Sequence, residues 1–287
     1  MTYPRALIAL LAAVVVFAGC GEKEEPATSD QQAASTPSGP SCDKADLQLA
    51  TSGQLTVGTD KPAFPPYFED DDPTNGKGFE SAVAYAIAGE LGFDKSEVKW
   101  KVVPFNASFK PGPKDFDFDV NQISISDQRK RAVDFSEPYY ESPQAVIAKK
   151  DSSAAGAGSL ADLKDASLGV QIGTTSLDAV NASIQPSKQP KVFDDSNAVV
   201  TALKQNQVEA AVVDLPTALF LTAVEIPSAK VVGQFSAPGG DTWGALLEKD
   251  SPLTECVSKA IADLKESGEL DKITERWMGS ETAPELN

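Results

Sequence analysis

Apolar and polar positions alternate along this chain in a way that predicts strands and helices by turns. Gln54–Thr59 (QLTVGT) alternates after Gly53 and reads as a strand that ends at Asp60. Phe79, Val83, Ala86, Ile87 and Leu91 form one stripe at helical spacing, and Gly92 ends that helix. Val98–Val103 is a second strand. In Asn121–Tyr140 (NQISISDQRKRAVDFSEPYY), Ile123 and Ile125 face one way and Ser124 and Ser126 the other. Ser126 is then a natural N-cap for a brief helix from Asp127. Further strands are expected at Gln144–Lys149, Ala166–Ile172, Lys191–Phe193, Val208–Val213, Lys230–Val232 and Trp243–Glu248. Helices fall between them: Thr174 to about Ile184, Ser196–Lys204, one holding Pro216, Pro252–Lys265 and Leu270–Met278. The alternation predicts an α/β protein with mainly parallel sheets. Two crossings, near Gln144–Lys150 and Val232–Gly239, imply two lobes, the second α/β lobe inserted in the first, with a ligand cleft between them. The expected division is 42–143 and 238–287 for lobe 1 and 144–237 for lobe 2.

The N-terminus changes that picture. Arg5 precedes the unbroken apolar run Ala6–Ala18, which is short for a bilayer span and has the size of a signal h-region. The run ends in Phe17-Ala18-Gly19-Cys20, with the small residues that lipoprotein processing requires before a cysteine. Residues 1–19 therefore read as a signal peptide and Cys20 as the lipidated residue, although Phe17 stands where an aliphatic residue is usual. Ordinary secretion with an incidental Cys20 is the plain alternative. Gly21–Ser41 contains no Leu, Ile, Val or aromatic residue, so 20–41 is expected to be a lipid-anchored flexible tether.

The net charge of −17 argues against a nucleic-acid partner. The chain has no His and three Cys, which excludes a His-rich metal site and a His-based catalytic triad. No cofactor and no metal are expected. With Cys20 set aside, Cys42 and Cys256 read as one disulfide outside the cytoplasm, or else as two buried thiols.

Candidate chemistry centres on Arg129. Its guanidinium, the hydroxyls of Ser124 and Ser126 and free helix amides would together receive a carboxylate. The same residues also describe a surface strand-to-helix turn with a solvated arginine. In Asp115–Asp119, Phe116 and Phe118 are expected in the core and Asp115, Asp117 and Asp119 in solvent.

The run ISISDQRKRAVDFSEPYY resembles the signature of bacterial extracellular solute-binding proteins of the polar-amino-acid family, the capture components of ABC importers. The resemblance extends from about Gly53 to Met278. It implies a two-lobed periplasmic-binding-protein-like fold, a free amino acid as ligand, permease subunits as partners and a monomer held at the membrane by its lipid. Carried over residue by residue, it gives Arg129, Ser126 and Ser124 to the ligand carboxylate, with Thr174 and Thr175 from a Gly-Thr-Thr helix start. Asp214 matches the acid that takes the ammonium, with the Ser124 carbonyl as a further acceptor. Asp214 could instead cap the helix holding Pro216. Asp60 and Phe64 match the side-chain subsite, with Tyr67 as a competitor for the aromatic wall. Phe105 and Gln122 are candidates to complete that subsite. Glu80 matches a helix-start acid. Asp60 and Gln122 favour a polar or cationic ligand side chain. The segment 105–119, with its Pro-Gly-Pro, departs from the usual pattern. The return of the C-terminal helices to the first lobe in this family implies a Cys42–Cys256 bridge. Some secreted dehydratases also resemble this family, so a cyclohexadienyl-type dehydratase using Glu80 or Asp60 as a general acid is the alternative.

Overall fold

The computed structural model describes residues 40–279 and 282–287. The signal peptide, Cys20 and the tether as far as residue 39 lie outside the described residues.

Two five-stranded sheets carry the fold. The first has the order β2-β1-β3-β10-β4, with β1 (Leu55–Thr59), β2 (Val98–Val102), β3 (Phe118–Asp119), β4 (Val133–Glu141) and β10 (Thr242–Glu248). The second has the order β7-β6-β8-β5-β9, with β5 (Gln144–Lys149), β6 (Leu168–Gln171), β7 (Lys191–Phe193), β8 (Ala210–Asp214) and β9 (Ala229–Phe235). The second sheet is thus built from consecutive strands inserted between β4 and β10. Both sheets are mixed. β1 runs parallel to β2 and β3, and β6 parallel to β7 and β8. The reversed strands are β10, which pairs antiparallel with β3 and β4, and β5, which pairs antiparallel with β8 and β9. Each reversed strand is the first one reached after the chain changes lobe.

The first lobe packs α1 (Phe79–Glu90), α7 (Thr254–Glu266) and α8 (Glu269–Trp277) around an aromatic core. Trp243 is fully buried, with its ring centroid 5.6 Å from that of Tyr67 and 4.8 Å from that of Tyr140. Cys42 and Cys256 form a disulfide that ties the start of the described chain to α7. The second lobe is aliphatic. Val146, Leu168, Val170 and Val212 pack on one face of its sheet, and Ile147, Leu203, Ala211 and Leu215 on the other.

Two expectations are corrected here. Asp117 and Asp119 are buried, at 4% and 0% exposure, and only Asp115 is exposed. The alternation does put Phe116 and Phe118 inside, but both faces of this segment are covered. Asp117 caps the backbone, accepting from Ala50 N at 2.7 Å and Thr56 N at 2.6 Å. The tail 282–287 does not stay with lobe 1. Gln234 N donates to the Pro284 carbonyl and Leu286 N to the Gln234 carbonyl, both at 2.8 Å, along the edge strand β9. Leu286 is buried in the second lobe's core. Gly233 permits this approach, since a Cβ there would lie 2.5 Å from the Pro284 carbonyl oxygen.

Candidate functional site

The C-terminal ends of β1 and β3 meet those of β6, β7 and β8 around a cavity of about 160 Å³. Ends of parallel strands are where α/β folds leave room for ligands, because helices start there and side chains diverge. The first lobe contributes Asp60, Phe64, Phe105, Gln122, Ser124 and Arg129. The second contributes Thr174, Thr175 and Asp214, together with Gln171, Asp195–Asn197 and Thr217.

Arg129 lies on the one-turn helix α3 (Asp127–Lys130) and is only 7% exposed. Its Nη1 donates to the Ser124 carbonyl at 2.6 Å and its Nη2 to the Gly173 carbonyl at 3.0 Å, so the guanidinium joins the two lobes. The Phe105 and Phe109 rings lie 5.4 and 4.7 Å from it. Two of its five N–H donors are engaged in these bonds, and three remain for a cavity occupant. Burial lowers its pKa to about 10, opposed by Asp214 and Asp178, so it stays cationic at neutral pH. The lobes come so close here that a Cβ on Gly173 would lie 2.4 Å from Asn106 Oδ1.

Ser126 does not line the cavity, contrary to expectation. It caps α3, and its Oγ accepts from Arg129 N at 3.2 Å. Its part is to hold the turn that presents Arg129. Ser124 does reach the cavity wall, and its Oγ pairs with Thr175 Oγ1 across the cleft at 3.1 Å. The Ser124 carbonyl is already bonded to Arg129, which makes it a poor ammonium acceptor. Thr174 acts as the N-cap of α4 (Thr175–Ala179), accepting from Leu177 N at 3.3 Å and donating to the Gln171 carbonyl at 2.8 Å.

Asp214 ends β8 and makes no side-chain cap bond to α6 (Leu215–Phe220), which removes the capping alternative. Its Oδ1 accepts from Gln144 Nε2 at 2.7 Å. Burial pushes its carboxyl up to about 7; the Gln144 bond lowers it and nearby Asp241 raises it. Asp60 accepts from Lys61 N at 2.7 Å and from Phe105 N at 3.1 Å, so it also braces the aromatic wall. Phe64 lines the cavity, whereas Tyr67 is buried behind it and pairs with Thr217 across the lobes at 2.8 Å.

Gln122 reaches the cavity, where its side-chain Nε2 donates to Glu80 and keeps one further N–H beside the amide oxygen. Glu80 is more than a helix-start acid. It is fully buried and accepts from Gln122 N at 2.7 Å and Tyr139 Oη at 2.5 Å. Burial pushes it up to about 7, opposed by these same bonds. It holds Gln122 at φ +48°, a strained backbone for glutamine.

Residues 55–280 match the model of the bacterial extracellular solute-binding proteins, family 3. The chain belongs to this family. Its folded part is extracytoplasmic, as for other family 3 solute-binding proteins. The L-cystine-binding protein TcyJ of Escherichia coli K12 is 30% identical over 232 residues, covering 80% of this chain and 84% of the relative. The arginine-binding extracellular protein ArtP of Bacillus subtilis is 29% identical, covering 79% and 87%. Among solved structures, an ancestral arginine-binding protein bound to glutamine superposes with a TM-score of 0.68 at 32% identity, covering 80% of this chain and all of the other.

Several cavity residues of this solute-binding protein escaped the sequence reading. Asp195 and Ser196 carried a helix-start signal, and that signal placed them at a strand end. Asp195 Oδ1 accepts from Ala198 N at 2.8 Å and Ser196 Oγ donates to Gln171 Oε1 at 2.6 Å. Gln171 and Thr217 had no local signal, because only the pairing of β6 and β8 brings them to the cleft.

Proposed function

We propose that this protein is the lipid-anchored capture subunit of an ABC importer, and that it binds a free amino acid with a polar or cationic side chain between its lobes. The observation that carries the reading is a buried guanidinium and a half-buried carboxyl, Arg129 and Asp214, on one cavity from opposite lobes. An α-amino acid presents the complementary pair, a carboxylate and an ammonium, and each needs a partner already in place. Arg129 takes the carboxylate with Thr175 beside it, and Asp214 takes the ammonium. Asp60, Phe64 and Phe105 receive the side chain, where the Asp60 carboxylate disfavours an acidic ligand.

Lobe 1 comprises 42–143 and the segment from 238 through α8; lobe 2 comprises 144–237 and the tail. Closure of the two around the ligand gives the form that docks on the permease. Cys20 carries the lipid that keeps the receptor at the membrane, and Cys20→Ala is expected to release it into the medium. Retention of the mutant on membranes would remove the anchor from the reading.

Catalysis on this scaffold has less support. Glu80 is absent from the cavity wall, and both its oxygens are held by Gln122 and Tyr139. One solved neighbour is an ancestral amino-acid-binding protein described as a precursor of cyclohexadienyl dehydratase. The experiment is mass spectrometry of ligand released from the purified, denatured protein, followed by calorimetry with L-arginine, L-glutamine, L-histidine and L-cystine. Binding of at least one without turnover of prephenate-like acids is expected. Turnover of such an acid would replace the binding reading with the enzymatic one.

A further inference from the structure

Gln144 is the first residue of β5, directly after the chain crosses from lobe 1, and it is fully buried. Its amide has three partners. Nε2 donates to Asp214 Oδ1 at 2.7 Å and to Asp241 Oδ1 at 3.4 Å, and Oε1 accepts from Ser176 Oγ at 2.5 Å. Asp214 lines the cavity, and Ser176 lies in the first turn of α4. Asp241 lies on the return crossing, where its Oδ2 accepts from Ala237 N at 3.0 Å and its carbonyl accepts from Ser142 N at 2.8 Å. One side chain thus joins both crossing segments to the cavity acid and to the helix that faces Arg129. The orientation of the amide is fixed by chemistry: two carboxyls demand the NH₂ end, and the serine hydroxyl can donate to the oxygen.

We propose that Gln144 is a positioning residue for ligand capture, one that holds Asp214 at the cavity as a hydrogen-bonded carboxylate and ties it to the interlobe crossings through Asp241 and to α4 through Ser176. The inference rests on the reading that Asp214 takes the ligand ammonium. Only ionised Asp214 attracts an ammonium strongly. The charges of Asp241 and Glu80 oppose its ionisation and that of Arg129 favours it, while its own charge raises the Tyr67 phenol. Gln144 is the side-chain hydrogen-bond donor that favours the carboxylate. Because Gln144 touches Asp214 and does not itself line the cavity, its loss should act on the ionisation of Asp214 more than on the affinity of the ionised site. What depends on it is the pH at which that site becomes available.

The test is calorimetry of wild type, Gln144→Met and Ser176→Ala between pH 6 and 8.5. The probe is whichever of L-arginine, L-glutamine, L-histidine and L-cystine wild type binds tightest. Wild-type affinity is expected to fall below about pH 7. In Gln144→Met the fall should begin about one unit higher, giving about tenfold weaker binding at pH 6 and less than about twofold at pH 8.5. Ser176→Ala, a milder change that frees the amide to rotate, should shift the profile the same way by less. If Gln144→Met does not fold, Ser176→Ala alone decides. Equal weakening at every pH, or an unshifted profile, would overturn the role of Gln144 while leaving the amino-acid reading intact. Wild type that binds none of the four probes would overturn both.

Discussion

The two lobes face one cavity but are built differently. Lobe 1 is aromatic and cross-linked: Tyr67, Phe79, Tyr139, Tyr140 and Trp243 stack around its core, and the Cys42–Cys256 bridge closes it. Lobe 2 is aliphatic, and two of its cavity helices are short. α4 and α6 each pass into a π turn, at Val180–Ile184 and Leu221–Glu225. The charge that must be desolvated in advance, Arg129, sits on the cross-linked lobe. Lobe 2 supplies hydroxyls, helix starts and an acid that titrates near neutrality. The division suits a receptor in which one lobe holds a ligand in fixed geometry and the other closes over it.

The largest expected effect breaks the first half of that contrast. Cys42 and Cys256 are separated by 214 residues. In the chain-entropy model such a link is worth about 5 kcal/mol against global unfolding, and commonly less in practice. Cys42→Ala/Cys256→Ala should lose much of this in urea denaturation. Hydrogen exchange should loosen in β1–β3 and α7, whereas local opening of β6–β8 should not change. Equal loosening in both lobes would mean that they unfold as one unit and that the cross-link does not act on lobe 1 alone.

Next in size is Arg129→Ala, which leaves a ligand carboxylate unpaired in a buried site. The expected loss is about 2–5 kcal/mol, roughly thirty- to several-thousand-fold in affinity by calorimetry. Arg129→Lys should also bind poorly, because a point charge cannot replace two parallel donors that also hold Ser124 and Gly173. Exposed Lys130 and Arg131 should tolerate alanine. Equal small losses at all three positions would mean a generally basic surface and no clamp.

Local signals made most of the frame legible. The hydrophobic periods marked β1, β2 and β5–β10 but not β3 or β4, Ser126 gave the start of α3, and the Cys pair gave the bridge. The signals failed wherever a residue's environment comes from a distant strand. Asp117 and Asp119 follow a two-residue alternation that ordinarily leaves acids in solvent, yet β3 lies inside its sheet between β1 and β10, and both acids are buried. Ser126 looked like a ligand residue because capping and anion binding use the same hydroxyl geometry. Gln122 could not be assigned without knowing that Glu80, 42 positions earlier, lies beneath it. The tail gave no sign of its place, since its partner is a single glycine-opened edge on β9.

A change of pH acts on both lobes at once and sharpens the comparison between their buried acids. Glu80 in lobe 1 and Asp214 in lobe 2 are both raised to about 7 by burial. A carboxyl whose folded pKa lies above its unfolded value contributes stability that is fully present below the unfolded value and lost as pH rises through the folded one. The ligand-free protein should therefore be more stable at pH 5.5 than at pH 8, by on the order of 2 kcal/mol for Glu80 alone. Glu80→Gln should flatten that slope in thermal denaturation. A protein more stable at pH 8 than at pH 5.5 would mean that these acids are ionised in the fold.

The smallest effect is expected at Thr175, the hydroxyl by which the aliphatic lobe meets the arginine lobe. Its Oγ1 pairs with Ser124 Oγ at 3.1 Å, one step from the carbonyl that holds Arg129. Thr175→Val keeps the shape and β-branching and removes only the hydroxyl, so α4 should form unchanged. A neutral hydrogen bond contributes about 0.5–1.5 kcal/mol net, which predicts a two- to tenfold loss of affinity. The loss should lie mainly in the dissociation rate, because the pair exists only when the lobes are together. Stopped-flow measurement separates the two rates. A loss as large as that of Arg129→Ala would show that lobe 2 carries the carboxylate and lobe 1 merely frames it, reversing the division of labour between the two walls.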